Sequence, residues 1–336
     1  MNRFIYFDNL RSLSIILTLA ALLLPLGTVF YEESAAIAIA AVFFISAYFG
    51  ASKLRIRTIP FFLKDRWHRL GLPLIVLILF GIEERLVTGT LPVVSWALAW
   101  LLLLFALLSL VKRAAHSFLQ QRKLGRPTAP FLTLFFLLWA AALYGAHLFL
   151  PPSVMIPYLA IIRPDWLILS LFSFILGLQA FRSRWFTANG YVPSMGSFIA
   201  FIVVLIANSL LMTGVIPTIP WVAAPLSAAL PMTAVLGLTA FFHQYFNGHR
   251  PWSQSLHRLG YGLFFISEPI IIHTTWFLHP LAAASWLKTL LTPAQFWSFT
   301  VTCFADTPCS IYHALKARAN SHSGLARTGH LCYDIS

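Results

Sequence analysis

Charge is scarce in this 336-residue chain. Only 10% of its residues are Asp, Glu, Lys or Arg, against about 25% in ordinary soluble domains. That leaves too little polar surface to solvate a water-soluble globule of this size. A hydrophobic share of 59% and a mean hydropathy of +0.80 exclude disorder as well. Acid is scarcer still, with 10 Asp and Glu facing 23 Lys and Arg for a formal net charge of +13. Cysteine is nearly absent. Cys303, Cys309 and Cys332 form no C-x-x-C pair and imply no disulfide framework. Together with His313 they lack a metal-ligand spacing, so no metal is expected. The sequence also lacks a Gly-rich phosphate loop, a G-x-S-x-G elbow, an H-E-x-x-H pair, any fixed-period repeat and any low-complexity tract.

What fills the chain is apolar runs long enough to cross a bilayer, at about 20 residues per helix. Ten spans are read, at 10–30, 35–52, 69–88, 93–111, 129–150, 166–181, 195–216, 222–242, 259–281 and 294–315. The third has a short clean stretch, Leu70 to Ile82, that runs into Glu83, Glu84 and Arg85; the tenth contains Asp306 and Pro308. No signal-peptide cleavage pattern precedes the first span, which is expected to persist as a helix. The fold class is therefore all-α, a polytopic membrane protein of about ten helices. Residues 1–316 form its transmembrane part, and 317–336 a polar tail.

The basic residues set an orientation. With the N-terminus in the cytoplasm, 19 of the 23 Lys and Arg fall on cytoplasmic segments, and only Arg85, Arg163 and Lys288 lie outside. Arg11 lies within the first span. The outer loops collect Glu32, Glu33, Glu83, Glu84 and Asp165. This is the positive-inside pattern, and it places both termini in the cytoplasm. Because the positive charge sits between apolar runs, it speaks for topology and against nucleic-acid binding. The longest outer loop, Pro151 to Asp165, is Pro-rich and is placed to cover an outward cavity.

Polar residues inside such spans are expensive and need a partner or a purpose. Asp8 suits an N-cap on the first helix, with Arg11 one turn on. The pair reads either as cap and anchor or as a cationic site for an anionic substrate group. Arg66 and Arg69 are three apart, so on an α-helix they share a face. They read either as an interfacial helix holding lipid headgroups or as a fork for a phosphate or carboxylate. On the ninth span Glu268 and His273 are ionisable groups well inside the helix, five residues apart, which leaves a direct bond between them open.

Three segments in order resemble the integral-membrane acyltransferase family 3, most closely its glucan-modifying branch and the related O-antigen acyltransferases. They are Tyr6-Phe7-Asp8-Asn9-Leu10-Arg11, then Val42-Phe43-Phe44-Ile45-Ser46-Ala47-Tyr48-Phe49, then Arg66-Trp67-His68-Arg69-Leu70-Gly71-Leu72-Pro73. A Gly usually follows the Ser of the second; here it is Ala47. The resemblance implies an acyltransferase-3-like domain in a bacterial cytoplasmic (inner) membrane. It implies a cytoplasmic acyl-CoA co-substrate, a carbohydrate or glycan acceptor on the far side and no bound cofactor. It casts Arg11, Arg66 and Arg69 as donor-binding residues. The family's first-helix histidine falls at Leu22, and a later one at Ser267.

Acyl transfer to a sugar hydroxyl needs a group to take the hydroxyl proton. Leucine cannot, and near it the first helix offers only Ser12, Ser14 and Thr18. By elimination the base falls to the ninth helix, which carries the one intramembrane carboxylate outside the tenth span, Glu268, and the histidine nearest mid-bilayer, His273. His273 is the expected proton acceptor and Glu268 its orienting partner, both catalytic. The alternative is a catalytically disarmed relative that keeps the scaffold as a binding or accessory component. A transporter would call for paired broken helices or inverted repeats, which the sequence lacks.

Reporter fusions that are active only outside the cytoplasm should stay silent at both termini. A signal from one end would mean that the span count is wrong by one.

Overall fold

This computed structural model describes Leu10 and residues 27–79, 94–115, 120, 127–149, 154–156, 160–187, 190–215 and 219–246. The chain divides into two compact units, Met1–Thr292 and Pro293–Ser336, and every described residue lies in the first. The regular elements are α1 (Gly27–Ile56), α2 (Ile59–Arg66), a π-turn (Trp67–Gly71) that runs on into α3 (72–79), α4 (Val94–Ala114) and α5 (Ala129–Phe149). Strands β1 (Val154–Ile156) and β2 (Ala160–Ile162) follow. Then come α6 (Pro164–Arg182), α7 (Met195–Met212) and α8 (Pro220–Tyr245).

Among the described residues six helices are long and apolar enough to cross a membrane: Glu33–Ile56, Ala97–Ala114, Pro130–Phe149, Pro164–Arg182, Met195–Met212 and Trp221–Tyr245. They correspond to the second and the fourth to eighth of the spans read from sequence. In hydrocarbon each backbone N–H and C=O must find a partner in the protein, and the helix provides it within the segment. The third span is described as far as residue 79, as the helix from Ile59 through the π-turn into α3. The ninth and tenth spans lie outside the described residues, as does the first apart from Leu10 and residues 27–30, which belong to α1 rather than to a separate first helix.

Among the described residues the structure is helical apart from one hairpin in the Pro151–Asp165 loop. There β1 and β2 pair antiparallel, with Val154 opposite Ile162, Met155 opposite Ile161 and Ile156 opposite Ala160. Strand β2 touches α4.

Helix α1 is the hub, packing on α6, α8, α7, α4 and α2. Its closest partner is α6, and the reason is side-chain size. Ala40, Ala47 and Ala51 on α1 and Ser170, Ser173, Gly177 and Ala180 on α6 are all buried. Small residues let helix backbones approach in a membrane, where no hydrophobic drive pulls helices together. A Cβ at Gly177 would run into the Phe44 carbonyl oxygen and stand 2.9 Å from the Ala47 methyl. The buried hydroxyls add no polar debt: Ser173 Oγ donates to the Leu169 carbonyl at 2.8 Å and Thr239 Oγ1 to that of Val235 at 2.6 Å.

After α6 the chain folds back on itself. Arg184 (φ 55°) and Phe186 (φ 64°) both take the left-handed conformation, which side-chain-bearing residues rarely adopt. The reversal is held by Trp185 N–H to the Ala180 carbonyl (2.9 Å) and Phe186 N–H to the Tyr191 carbonyl (2.9 Å). It buries Trp185 and Phe186 against α1, where Tyr48 Oη donates to the Trp185 carbonyl at 2.9 Å. Phe186 meets Phe44 and Tyr48 edge-on at 6.1 and 5.9 Å. The Val42–Phe49 segment singled out in the sequence therefore serves here as a packing surface.

Gly177→Ala should destabilise the folded protein by about 1–3 kcal/mol, the usual cost of overpacking. Gly145→Ala on α5, where an added methyl meets nothing within 4 Å, should be neutral. Thermal unfolding of the two variants in matched lipid nanodiscs checks the contrast.

Candidate functional site

Ten of the eleven described Lys and Arg residues gather at one end of the bundle. They are Lys53, Arg55 and Arg57 at the end of α1, Lys64, Arg66 and Arg69 on α2 and the π-turn, Lys112 and Arg113 in the last turn of α4, Arg182 in the last turn of α6 and Arg184 just after it. Side-chain contacts tie these ends together. Lys112 Nζ donates to the carbonyl of Leu54, and to that of Arg57 at 3.2 Å. It thus meets carbonyls that the end of α1 leaves without an intrahelical partner, and places a cation at the negative end of that helix. Arg55 lies over the Phe181 ring at 5.7 Å, and Arg57 over Phe61 at 4.3 Å.

The Arg66–Pro73 segment is built on a break in the helix. Pro73 has no N–H to return to the carbonyl four residues back, that of Arg69. The helix answers with a π-turn over Trp67–Gly71, in which Leu72 N–H reaches the Trp67 carbonyl. A Cβ at Gly71 would stand 2.6 Å from the Trp67 ring, so the turn needs a glycine where it folds under the indole.

This break changes the relation between the two arginines. On an uninterrupted α-helix the i, i+3 spacing puts them on one face. A π-turn takes more than four residues, so it opens the angle between them. Arg66 turns inward, half-buried over the Phe105 and Phe62 rings at 4.7 and 5.1 Å. Those rings meet edge-on at 5.6 Å, and Phe105 meets Phe174 of α6 at 5.6 Å. Arg69 turns outward with 56% of its side chain exposed, its Nε 2.9 Å from Asp65 Oδ1. Both remain within electrostatic reach of Lys53, as do Arg57 and Asp65. The result is an electropositive patch with an aromatic floor under one arginine and a solvent-facing second arginine. It suits a polyvalent anion, which can meet several cations at once.

No protein-family model, curated protein or solved structure matches this chain.

Of the residues read from sequence, Arg66 and Arg69 are therefore brought into one patch. Asp8, Arg11, Leu22, Ser267, Glu268 and His273 lie outside the described residues, as do the three cysteines. Sequence reasoning missed three residues. Lys53 and Lys112 read only as cations of cytoplasmic segments, and the long reach of Lys112 to α1 has no local signature. The third is at the opposite end of the bundle. Glu33, assigned to an outer loop, is instead inside α1 and inside its candidate span, 8% exposed. Its carboxylate meets Asn208 and Ser209 of α7. Glu268 is thus not the one carboxylate to consider within the bundle. The signal available in sequence was Asn208-Ser209, a polar pair in an otherwise apolar helix. Among the described residues, no three His, Cys, Asp or Glu side chains converge as a metal site.

Lys112→Met should cost about 1–2 kcal/mol of stability through the lost charge-assisted bonds to α1, and Lys112→Arg should recover most of it. Unfolding midpoints of the purified variants read the difference.

Proposed function

We propose that this chain is a membrane-bound O-acyltransferase that moves an acyl group from a cytoplasmic acyl-CoA donor to an envelope carbohydrate acceptor. It would do so as a bundle of about ten helices with both termini in the cytoplasm of a bacterial inner membrane. The observation that carries the donor half is the patch joining Lys53, Arg57, Arg66 and Arg69 at the basic end of the bundle. CoA presents several phosphates, and a guanidinium fork is the side chain best shaped to hold them. The segment that builds the patch is also the third of the motifs that resemble acyltransferase family 3.

In this reading Arg66 and Arg69, with Arg11 from the first helix, hold the donor. The sugar hydroxyl oxygen attacks the thioester carbonyl, the C–S bond breaks, and the thiolate leaves as the acyl oxygen ester forms. His273 takes the hydroxyl proton and returns it to the leaving sulfur, and Glu268 orients the imidazole. A second reading is supported by Leu22 and Ser267, which stand where the resemblance calls for histidine. There the chain binds the donor and does not turn it over.

Arg66→Gln combined with Arg69→Gln should weaken binding of acetyl-CoA or succinyl-CoA at least about tenfold, a loss of one charged contact's worth of affinity. Lys at both positions should restore binding only in part. Titration calorimetry on nanodisc-embedded protein decides this, and unchanged affinity would return the pair to a headgroup anchor. Thioester turnover lost in His273→Ala marks an active enzyme. Turnover that appears only with Leu22→His and Ser267→His marks a disarmed one.

A further inference from the structure

At the end of the bundle opposite the Lys and Arg cluster, a carboxylate is buried with only neutral hydrogen-bond partners among the described residues. Glu33 Oε1 lies 3.1 Å from Asn208 Nδ2, and Ser209 Oγ lies 2.8 Å from Oε1 and 3.0 Å from Oε2. The Ser209 hydroxyl has one proton and a third acceptor, the Leu205 carbonyl, also at 3.0 Å. When that proton goes to Leu205, the carboxylate keeps a single donor, Asn208. No Lys, Arg or His nitrogen among the described residues stands within ion-pair distance of Glu33. The charged groups at this end of α6, Arg163 and Asp165, pair with each other at 2.7 Å, and α7 carries no charged residue. The ionisable residues of α8, His243 and Tyr245, sit at its far end.

The amide of Asn208 has the matching deficiency. The residue is 2% exposed, and its Oδ1, on the other arm of the amide that bonds Glu33, has no hydrogen-bond donor. The amide cannot be assigned the other way, because that would set Oδ1 against the carboxylate. A buried carboxylate with only neutral partners thus bonds to an amide whose own oxygen has no donor. Each deficiency alone is costly inside a membrane.

We propose that Glu33, Asn208 and Ser209 form a binding site for a monovalent metal cation, sodium in size. The lone pairs these side chains can offer, on the Glu33 carboxylate, the Ser209 hydroxyl and Asn208 Oδ1, are all on oxygen, which suits a hard cation rather than a transition metal; the amide nitrogen only donates. One carboxylate balances one positive charge, whereas divalent sites of this kind draw on several. The 3.0 Å between Glu33 Oε2 and Ser209 Oγ is a hydrogen-bond distance, and two oxygens at that separation can also share one hard cation at about 2.4 Å from each. With its proton turned to Leu205, Ser209 presents lone pairs to the ion. The bound ion ties α1 to α7. This site is independent of the acyl-transfer reading and of the arginine patch.

The test uses the full-length protein in neutral phosphatidylcholine nanodiscs, with its unfolding midpoint followed as sodium chloride replaces N-methylglucamine chloride at constant ionic strength. Sodium should raise the wild-type midpoint in a saturable way by about 3 °C or more, since a ligand of the native state stabilises it. Glu33→Gln should abolish the sodium shift, and Asn208→Ala should raise the half-saturating sodium concentration about tenfold. Wild-type protein that unfolds alike in both salts, or a sodium shift that survives intact in Glu33→Gln, overturns the proposal. If Glu33→Gln does not fold, Asn208→Ala and Ser209→Ala decide, and unchanged half-saturation in both overturns it. A Gln substitution at Arg66 and Arg69 should leave the sodium response as it is.

Discussion

The close approach of α1 and α6 at Gly177 is the contact on which the rest of this bundle depends. Helices in a bilayer gain nothing by hiding apolar surface from lipid, so they hold together only where backbones come near enough for dense packing. The alanines of α1 and the small residues of α6 permit that approach. Once α1 is fixed on α6, its two ends are fixed as well. One end receives Lys112 from α4 and the Trp185 reversal after α6; the other receives Asn208 and Ser209 from α7.

This arrangement separates charge by position along one helix. The basic end of α1 is served by cations that meet carbonyls and aromatic rings, groups that stabilise positive charge without cancelling it. Arg66 illustrates the consequence: seated over Phe62 and Phe105, it keeps its charge while its stem is packed. Asp65 is the one described acid at this end, and it faces Arg69 on the exposed side. The opposite end holds a carboxylate among neutral partners. The described residues therefore set clustered cations and a buried carboxylate at the two ends of a single helix.

Much of this was legible in the sequence. Six spans were readable because a run of about 20 apolar residues has few other uses, and their ends matched the Lys and Arg clusters that the helices now bring together. The Arg66–Pro73 segment was legible as a basic helix but not as a π-turn, because α-helical spacing was assumed from Arg66 to Arg69. Glu33 was misread for a related reason. A Glu-Glu pair at the edge of an apolar run looks like a loop, and its partners are 175 and 176 residues away. No local pattern announces such a bond. The hairpin in the Pro151–Asp165 loop escaped notice because three-residue strands carry too few residues to show an alternation.

The π-turn also absorbs one extra residue within the helix that contains it. A π-turn amounts to one residue more than an α-helix would use over the same rise, and each α-helical residue advances the chain by about 100° about the axis. Removal of a single residue between Trp67 and Gly71 would let the ladder close as plain α-helix while the segment before the turn kept nearly the same angle relative to α3. Phe62 would stay on Phe105 and Arg66 on its aromatic floor. The change would fall on the turn itself, where the wider winding that sets Arg69 apart from Arg66 would be lost: the extra link shapes the patch and leaves the phase of the helix on either side unchanged.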